Sequence, residues 1–363
     1  MPSTLITDYS VTRFAFPRER VIGDSQVRID MFYTAVLELH TNTGCIGTGF
    51  MFSLFHSIPN QKTITTIIDD EIKPTFLNKS PIQIVNLIRR ARGGNQKSLP
   101  LKADQAINQA AWDIVAQEAG LPLYQILGGT DNQVTAYASG LEYHLSDDEI
   151  IEFYETAKTQ GFKAYKVKVG HPDLEWDIQR LRFIQNIMGT EARLMIDANE
   201  AWSPKEAIRR LWAYREAGFN VYWAEDPCLR DDYEGLKQVS DAIPFTHINT
   251  GEYLDLDGKR QLLETRAVDI LNLHGHITEG MRAGWLASEY GVPVSIGNTP
   301  FNIGIHLAAA LPEVRGFEMS FQGFDYLVEN QIQVKDGIAF APDIPGHGVN
   351  LSGSARQEFA LKD

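Results

Sequence analysis

Residues 27–40 (VRIDMFYTAVLELH) alternate apolar and polar positions in part, and Gly44, Gly47 and Gly49 follow them as turn residues. A strand turns successive side chains to opposite faces, so this stretch predicts an antiparallel sheet of hairpins. The period then changes. Over 61–77, 80–92 and 103–119 the apolar residues recur at the three-to-four spacing of helices. The first ~125 residues therefore read as an α+β unit.

From residue 133 a third pattern takes over. Short apolar runs begin near residues 134, 164, 192, 220, 245, 268, 292 and 315. Amphipathic stretches separate them, and 147–160, 174–188 and 203–217 each carry an apolar stripe of helical period. Ser146 ahead of Asp147 and Asp148, and Ser203 ahead of Pro204, suit helix starts. The spacing is that of one strand plus one returning helix. Eight such units predict an α/β fold of TIM-barrel type, in preference to an open doubly wound sheet. The tail, 329–363, returns to turn-rich sequence and is expected to pack against the N-terminal unit.

Composition narrows the function. The chain has 363 residues, room for one large domain and a smaller partner. Its 44% hydrophobic and 22% charged residues are ordinary for a globular protein. No apolar run approaches the ~18 residues of a membrane helix, and MPSTLITDYSVTRF lacks the layout of a signal peptide. A net charge of −14 argues against nucleic acid or an anionic membrane as partner. A small anionic substrate, which feels only local charge, is compatible with it. Cys45 and Cys228 form no C-x-x-C pair, so they read as reduced residues of a cytoplasmic protein and exclude a thiolate zinc site.

Catalytic groups of a barrel gather where its strands end. In Tyr165-Lys166-Val167-Lys168-Val169 the two lysines share one strand face. If Tyr165, Val167 and Val169 face the helices, both ammonium groups point into the barrel, where they are costly unless paired or functional. The next three runs end at Asp197 (then Asn199 and Glu200), at Glu225-Asp226-Pro227, and at Glu252 after Thr250-Gly251. Three carboxylates on consecutive strand ends repel one another unless a cation lies between them. An all-oxygen set suits a hard ion, and Mg²⁺ fits best because it keeps positions open for water and substrate. The eighth run ends at Glu318. Together these groups suit removal of the weakly acidic proton next to a carboxylate. A cation and one lysine stabilise the two oxygens of the enediolate, while the other lysine, its pKa lowered toward neutrality, is the base.

The ordered set resembles the enolase superfamily, specifically its mandelate racemase-like subgroup of acid-sugar dehydratases and racemases. The resemblance covers nearly the whole chain. It is carried by AWDI (111–114) through GLPL (120–123) to LGG (127–129), then KVK, MIDANEAW, AEDP and TGE, and finally PDIPGHGV in the tail. It implies an α+β capping domain over 1–128, a modified (β/α)7β-like barrel over 129–328 and a C-terminal segment, 329–363, that completes the cap. It also implies that Asp197, Glu225 and Glu252 bind Mg²⁺, that Lys168 is the general base, that Lys166 contacts the substrate carboxylate, and that Glu318 hydrogen-bonds that carboxylate from the other side. The expected reaction is dehydration of a sugar acid to a 2-keto-3-deoxy acid, with epimerisation or cycloisomerisation as the alternative. A cytoplasmic homo-oligomer is expected.

One departure matters. Relatives carry an Asp at the end of strand six and a His at the end of strand seven. Here His274 stands at the first place and Gly297 at the second. His274 and His276 are therefore the candidates for a replacement acid or base, with His274 favoured. Asn199, Asn298 and Thr299 at strand ends, and Arg18, Arg20, Arg28 and His56 in the cap, are candidate contacts for the substrate.

Overall fold

The computed structural model describes residues 3–53, 57–86, 103–274 and 277–362. Its N-terminal unit is a three-stranded antiparallel sheet of β1 (Ile6–Gly23), β2 (Arg28–Thr41) and β3 (Ile46–Ser53), in the order β1-β2-β3. The helix Ala103–Ala119 packs across it. Gly49 allows that contact, because a Cβ there would stand 1.9 Å from the Ala106 carbonyl oxygen. The single helix expected over 61–77 is interrupted. An α-helical stretch, Gln61–Ile67, passes through a π-turn at Ile68–Ile72 into the short turn Lys73–Phe76, in which Pro74 occupies an early position. Of the helix expected over 80–92, the described part is Pro81–Ile84, and 87–92 lie outside the described residues.

The eight apolar runs all form parallel strands: β4 (Gln133–Ser139), β5 (Ala164–Lys168), β6 (Arg193–Asp197), β7 (Val221–Glu225), β8 (His247–Thr250), β9 (Ile270–Leu273), β10 (Val294–Ile296) and β11 (Val314–Ser320). Neighbours in sequence are neighbours in the sheet, and β11 pairs back onto β4 through Phe317 to Ser320. That last pairing closes the barrel and rules out the doubly wound alternative. A helix follows each of the first seven strands, so the form is (β/α)7β. The caps foreseen in the sequence act as such. Ser146 and Glu149 form a reciprocal box ahead of Asp147–Thr159, and Ser203 accepts from the Glu206 amide ahead of Pro204–Glu216.

Two packing layers fix where the site lies. Inside the barrel, Tyr137, Met195, Trp223 and Ile270 fill the lower interior, with the Tyr137 and Trp223 rings edge-to-face at 5.2 Å. Polar side chains sit above this plug. Over the mouth, Phe14, Phe16, Phe32, Phe50 and Phe52 of the cap pack with Phe301 and Phe324 of the barrel and with Val349 and Leu351 of the tail. Each buried phenylalanine contributes roughly 1.5–3 kcal/mol, so the cap is held over the strand ends by apolar contact. The tail first adds a hairpin of β12 (Gln333–Lys335) and β13 (Ile338–Phe340), with β13 antiparallel to β4, and then returns to the cap, bridging Phe14 at Ala360.

Candidate active site

Strand alternation sets the first two groups. On β5, Tyr165 and Val167 join the core facing the helices, while Lys166 and Lys168 point inward and are buried. Register adds the next two, since Lys168 pairs with Asp197 and Asp197 with Glu225. These two carboxylates are therefore products of alternation and register, not of loop conformation. Glu252 arrives differently. It follows Gly251, whose φ of +117° is a conformation that L side chains rarely adopt. Two further turns bend through positive φ at non-glycine residues, Asn199 (47°) with Glu200 (64°) after β6, and Asp226 (40°) after β7. Such residues cost on the order of 1–2 kcal/mol each, and here they turn the chain sharply just past a carboxylate.

The lysines are held by these acids. Lys166 Nζ lies 2.8 Å from Glu225 Oε2, 3.2 Å from Glu318 Oε1 and 3.3 Å from Asp197 Oδ2. Lys168 Nζ lies 2.6 Å from Asp197 Oδ2 and 2.8 Å from Asn199 Oδ1. Burial favours the neutral amine, but the opposing charge of Asp197 outweighs it and raises the Lys168 pKa. The sequence-based expectation of a lysine near neutrality is not met in this arrangement, because Asp197 is turned toward the lysine. Among the acids, burial and then repulsion from Asp197 push Glu225 up. Burial, with Asp226 and Glu318 adding to it, pushes Glu252 up to about 7.

Six buried lysine and acidic side chains share one cavity: Lys166, Lys168, Asp197, Glu225, Glu252 and Glu318. Four carboxylates against two ammonium groups leave two negative charges, which a divalent cation would balance. The donor set is all oxygen, which suits magnesium. Among the described residues no three acidic, histidine or cysteine side chains already converge on a single point. Asp197 and Glu225 are instead turned onto the lysines, so the fit is one of donor chemistry and charge.

Residues behind the cluster hold it in place, and the sequence reading missed them. Asn272 Nδ2 donates to Glu225 Oε1 at 3.1 Å. Gly297 lies beside it, and a Cβ there would come within 2.7 Å of Asn272 Oδ1. Arg230 is fully buried and reaches Glu200 at 2.8 Å, Asp226 at 2.6 Å and Glu252 at 3.9 Å. Thr250 Oγ1 donates to the other Asp226 oxygen at 2.6 Å. Arg230 and Glu200 are 30 residues apart, and nothing in the local pattern links them. From the cap, Asp24, Ile22 and Val27 complete the cavity wall, and Gln26 Nε2 donates to the Asn199 carbonyl at 2.5 Å.

The remaining candidates divide. Asn199 and Asn298 line the cavity. Thr299 does not, and its hydroxyl accepts from the Gly304 amide within a turn. Arg20 faces a separate external cavity with Glu149 and Phe153 and donates to the carbonyls of Gly140 and Phe321, so it ties cap to barrel. Arg28 is exposed on β2. His274 is buried with Nδ1 3.8 Å from Glu252 Oε1 and its ring against Tyr253, and it is not among the residues that line the cavity. His56 and His276 lie outside the described residues.

Two family models match the chain: the mandelate racemase/muconate lactonizing enzyme N-terminal domain over residues 26–128, and the enolase C-terminal domain-like model over 149–355. This chain belongs to the mandelate racemase/muconate lactonizing enzyme group of the enolase superfamily. Among superfamily members it is 31% identical to the L-Ala-D/L-Glu epimerase of Bacillus subtilis, covering 79% of this chain and 81% of that one. It is 30% identical to the L-talarate/galactarate dehydratase of Salmonella typhimurium, covering 79% and 73%. A solved structure from Mesorhizobium loti, provisionally described as a mandelate racemase, superposes with a TM-score of 0.92 at 48% identity, covering 98% and 95%. The Salmonella dehydratase, solved with magnesium and L-lyxarohydroxamate, superposes with a TM-score of 0.85 at 25% identity, covering 99% and 94%. Superfamily relatives thus include lyases and isomerases that act on small carboxylates. No helix among the described residues is long and apolar enough to cross a membrane.

Proposed function

We propose that this protein removes the proton next to the carboxylate of a sugar acid and dehydrates the product to a 2-keto-3-deoxy acid. The observation that carries the reading is the buried cluster of two lysines and four carboxylates at consecutive strand ends, two negative charges in excess. Magnesium held by Asp197, Glu225 and Glu252 would supply positive charge where the substrate carboxylate becomes an enediolate. Lys168 is the base. Its Nζ is aimed by Asn199 and Asp197, and with Asp197 engaged by a cation instead of the lysine it would be free to act as the amine. Lys166 donates to the carboxylate oxygen on which charge develops, and Glu318 would hydrogen-bond that carboxylate from the β11 side through a proton shared between the two groups.

Dehydration is favoured over racemisation by what lines the cavity. Among the described residues the lining holds Ile22, Leu141, Tyr253 and Asn298 beside the cluster, with no imidazole and no lysine other than Lys166 and Lys168. Racemisation needs a proton donor on each face of the enediolate, whereas elimination needs one base and an acid for the departing hydroxyl. We assign that acid to His274, a buried imidazole 3.8 Å from Glu252 Oε1 that lies behind the cavity lining and would have to turn past Glu252 to reach the departing hydroxyl. The epimerase and cycloisomerase relatives motivate the alternative, in which the same enediolate is reprotonated or closed to a ring.

The test is incubation with Mg²⁺ and a panel of aldonic and aldaric acids in deuterium oxide, following both keto-acid and exchange at the α-carbon. Keto-acid from at least one member is expected. Exchange without keto-acid selects the isomerase reading, and no exchange with any member overturns both. His274→Asn should retain exchange and lose keto-acid formation.

A further inference from the structure

Among the described residues, Arg18 is a buried cation with no counter-charge. It is 8% exposed, on the face of β1 that carries Phe14 and Phe16 into the barrel-facing core, and its guanidinium lies over the Phe32 ring, 5.2 Å from the centroid. Its Nε and Nη2 have no hydrogen-bond partner among the described residues. The charged group it feels is another cation, Arg20. Burial and then that repulsion push its pKa down to about 10, still charged at neutral pH. A buried charge left this way is expensive unless something completes it.

What Arg18 does contact leads to the active site. Its Nη1 donates to the Gln322 carbonyl oxygen at 2.6 Å and faces Gln322 Oε1 at 3.5 Å. Gln322 Nε2 donates to Asn298 Oδ1 at 2.5 Å, and Asn298 lines the cavity. A guanidinium has only donors, so this chain can run in one direction. Oε1 of Gln322 must face Arg18, its Nε2 must face Asn298, and Asn298 is left with Nδ2 for the cavity. The wall therefore presents an N–H donor, backed by an uncompensated positive charge, while the lysine end carries the excess negative charge.

We propose that the Arg18–Gln322–Asn298 relay makes this wall select a second carboxylate on the substrate, so that diacids of the aldaric type are preferred over aldonic acids and over acids with an ammonium at the far end. Arg18 acts through Gln322 and Asn298 and is a positioning residue. This inference rests on the sugar-acid reading and deepens it. A charge-assisted hydrogen bond is about twice as strong as a neutral one, so the preference should be about tenfold or more.

The experiment measures binding by calorimetry and α-proton exchange in deuterium oxide for galactarate and galactonate, with the Mg²⁺-loaded protein. Wild type should favour galactarate by about tenfold or more. Arg18→Met should collapse that ratio toward one, and Arg18→Lys should keep part of it. Gln322→Glu, which gives Arg18 an internal counter-charge, should collapse the ratio even if Arg18→Met folds poorly; thermal unfolding checks each variant. Exchange with galactonate at equal or higher affinity overturns the inference and leaves the sugar-acid reading standing, as does a ratio that survives both Arg18→Met and Gln322→Glu. Absence of binding and exchange across the whole acid panel overturns the sugar-acid reading and this inference with it.

Discussion

Arg230→Met tests how the strand-end turns are held. The guanidinium is fully buried between Asp226, Glu200 and Glu252, and it stacks on the Tyr253 ring at 4.6 Å. Methionine fills part of the volume but leaves Asp226 and Glu200 without their close ion pair and Glu252 without its longer one. Breaking a buried pair from one side costs roughly 3–5 kcal/mol. Here Asp226 keeps the Thr250 hydroxyl and Glu200 keeps the Arg230 backbone amide, so the low end, about 3 kcal/mol, is expected. Urea titration followed by circular dichroism reads the loss directly. A double-mutant cycle with Glu200→Gln then isolates the pair, and a coupling of about 1.5 kcal/mol or more is expected because both groups are desolvated. A loss below about 1 kcal/mol, or a coupling near zero, would mean that the positive-φ turns at Glu200 and Asp226 are held by something other than this arginine.

Lys168→Ala should lower α-proton exchange by a hundredfold to ten-thousandfold while the fold survives; exchange at the wild-type rate by NMR would remove Lys168 as the base. Glu252→Gln removes one of the proposed ligands, so calorimetric titration with Mg²⁺ should show affinity weakened by tenfold or more, and an unchanged isotherm would place the ion elsewhere. Asp325 gives a pH signature away from the site. Burial, with Glu19 adding to it, pushes its carboxyl up to about 6, above the ordinary value near 3.9. A raised folded-state pKa means the ionised form opposes folding, so the penalty is absent below about pH 4 and complete above about pH 6. The side chain is partly exposed, which reduces the effect to about 1 kcal/mol. Asp325→Asn should therefore stabilise the protein at pH 8 and change nothing at pH 4, and equal effects at both would contradict the assignment.

The sequence by itself determined the barrel and half of the site, because both follow from periodicity. Eight evenly spaced apolar runs became eight strands, and alternation on β5 turned Lys166 and Lys168 inward as the pattern required. Asp197 and Glu225 were legible for the same reason, since strand ends in a parallel barrel fall at one level. Closure was expected from the count of eight units, but the pairing that makes it was not legible. It rests on β11 pairing with β4, strands about 180 residues apart, and local pattern carries no register at that range. The tertiary structure also decided which polar residues face the cavity. Arg20 and Thr299 read as substrate contacts because their types were suitable, but packing spends one on carbonyls joining cap to barrel and the other on a turn. Arg230 gave no signal and Arg18 read only as a direct substrate contact, because a buried arginine is recognised by its partners, and those come from distant segments: Glu200 for one and Gln322 for the other. Periodicity fixes which way a side chain points, whereas the folded chain alone sets what it meets there.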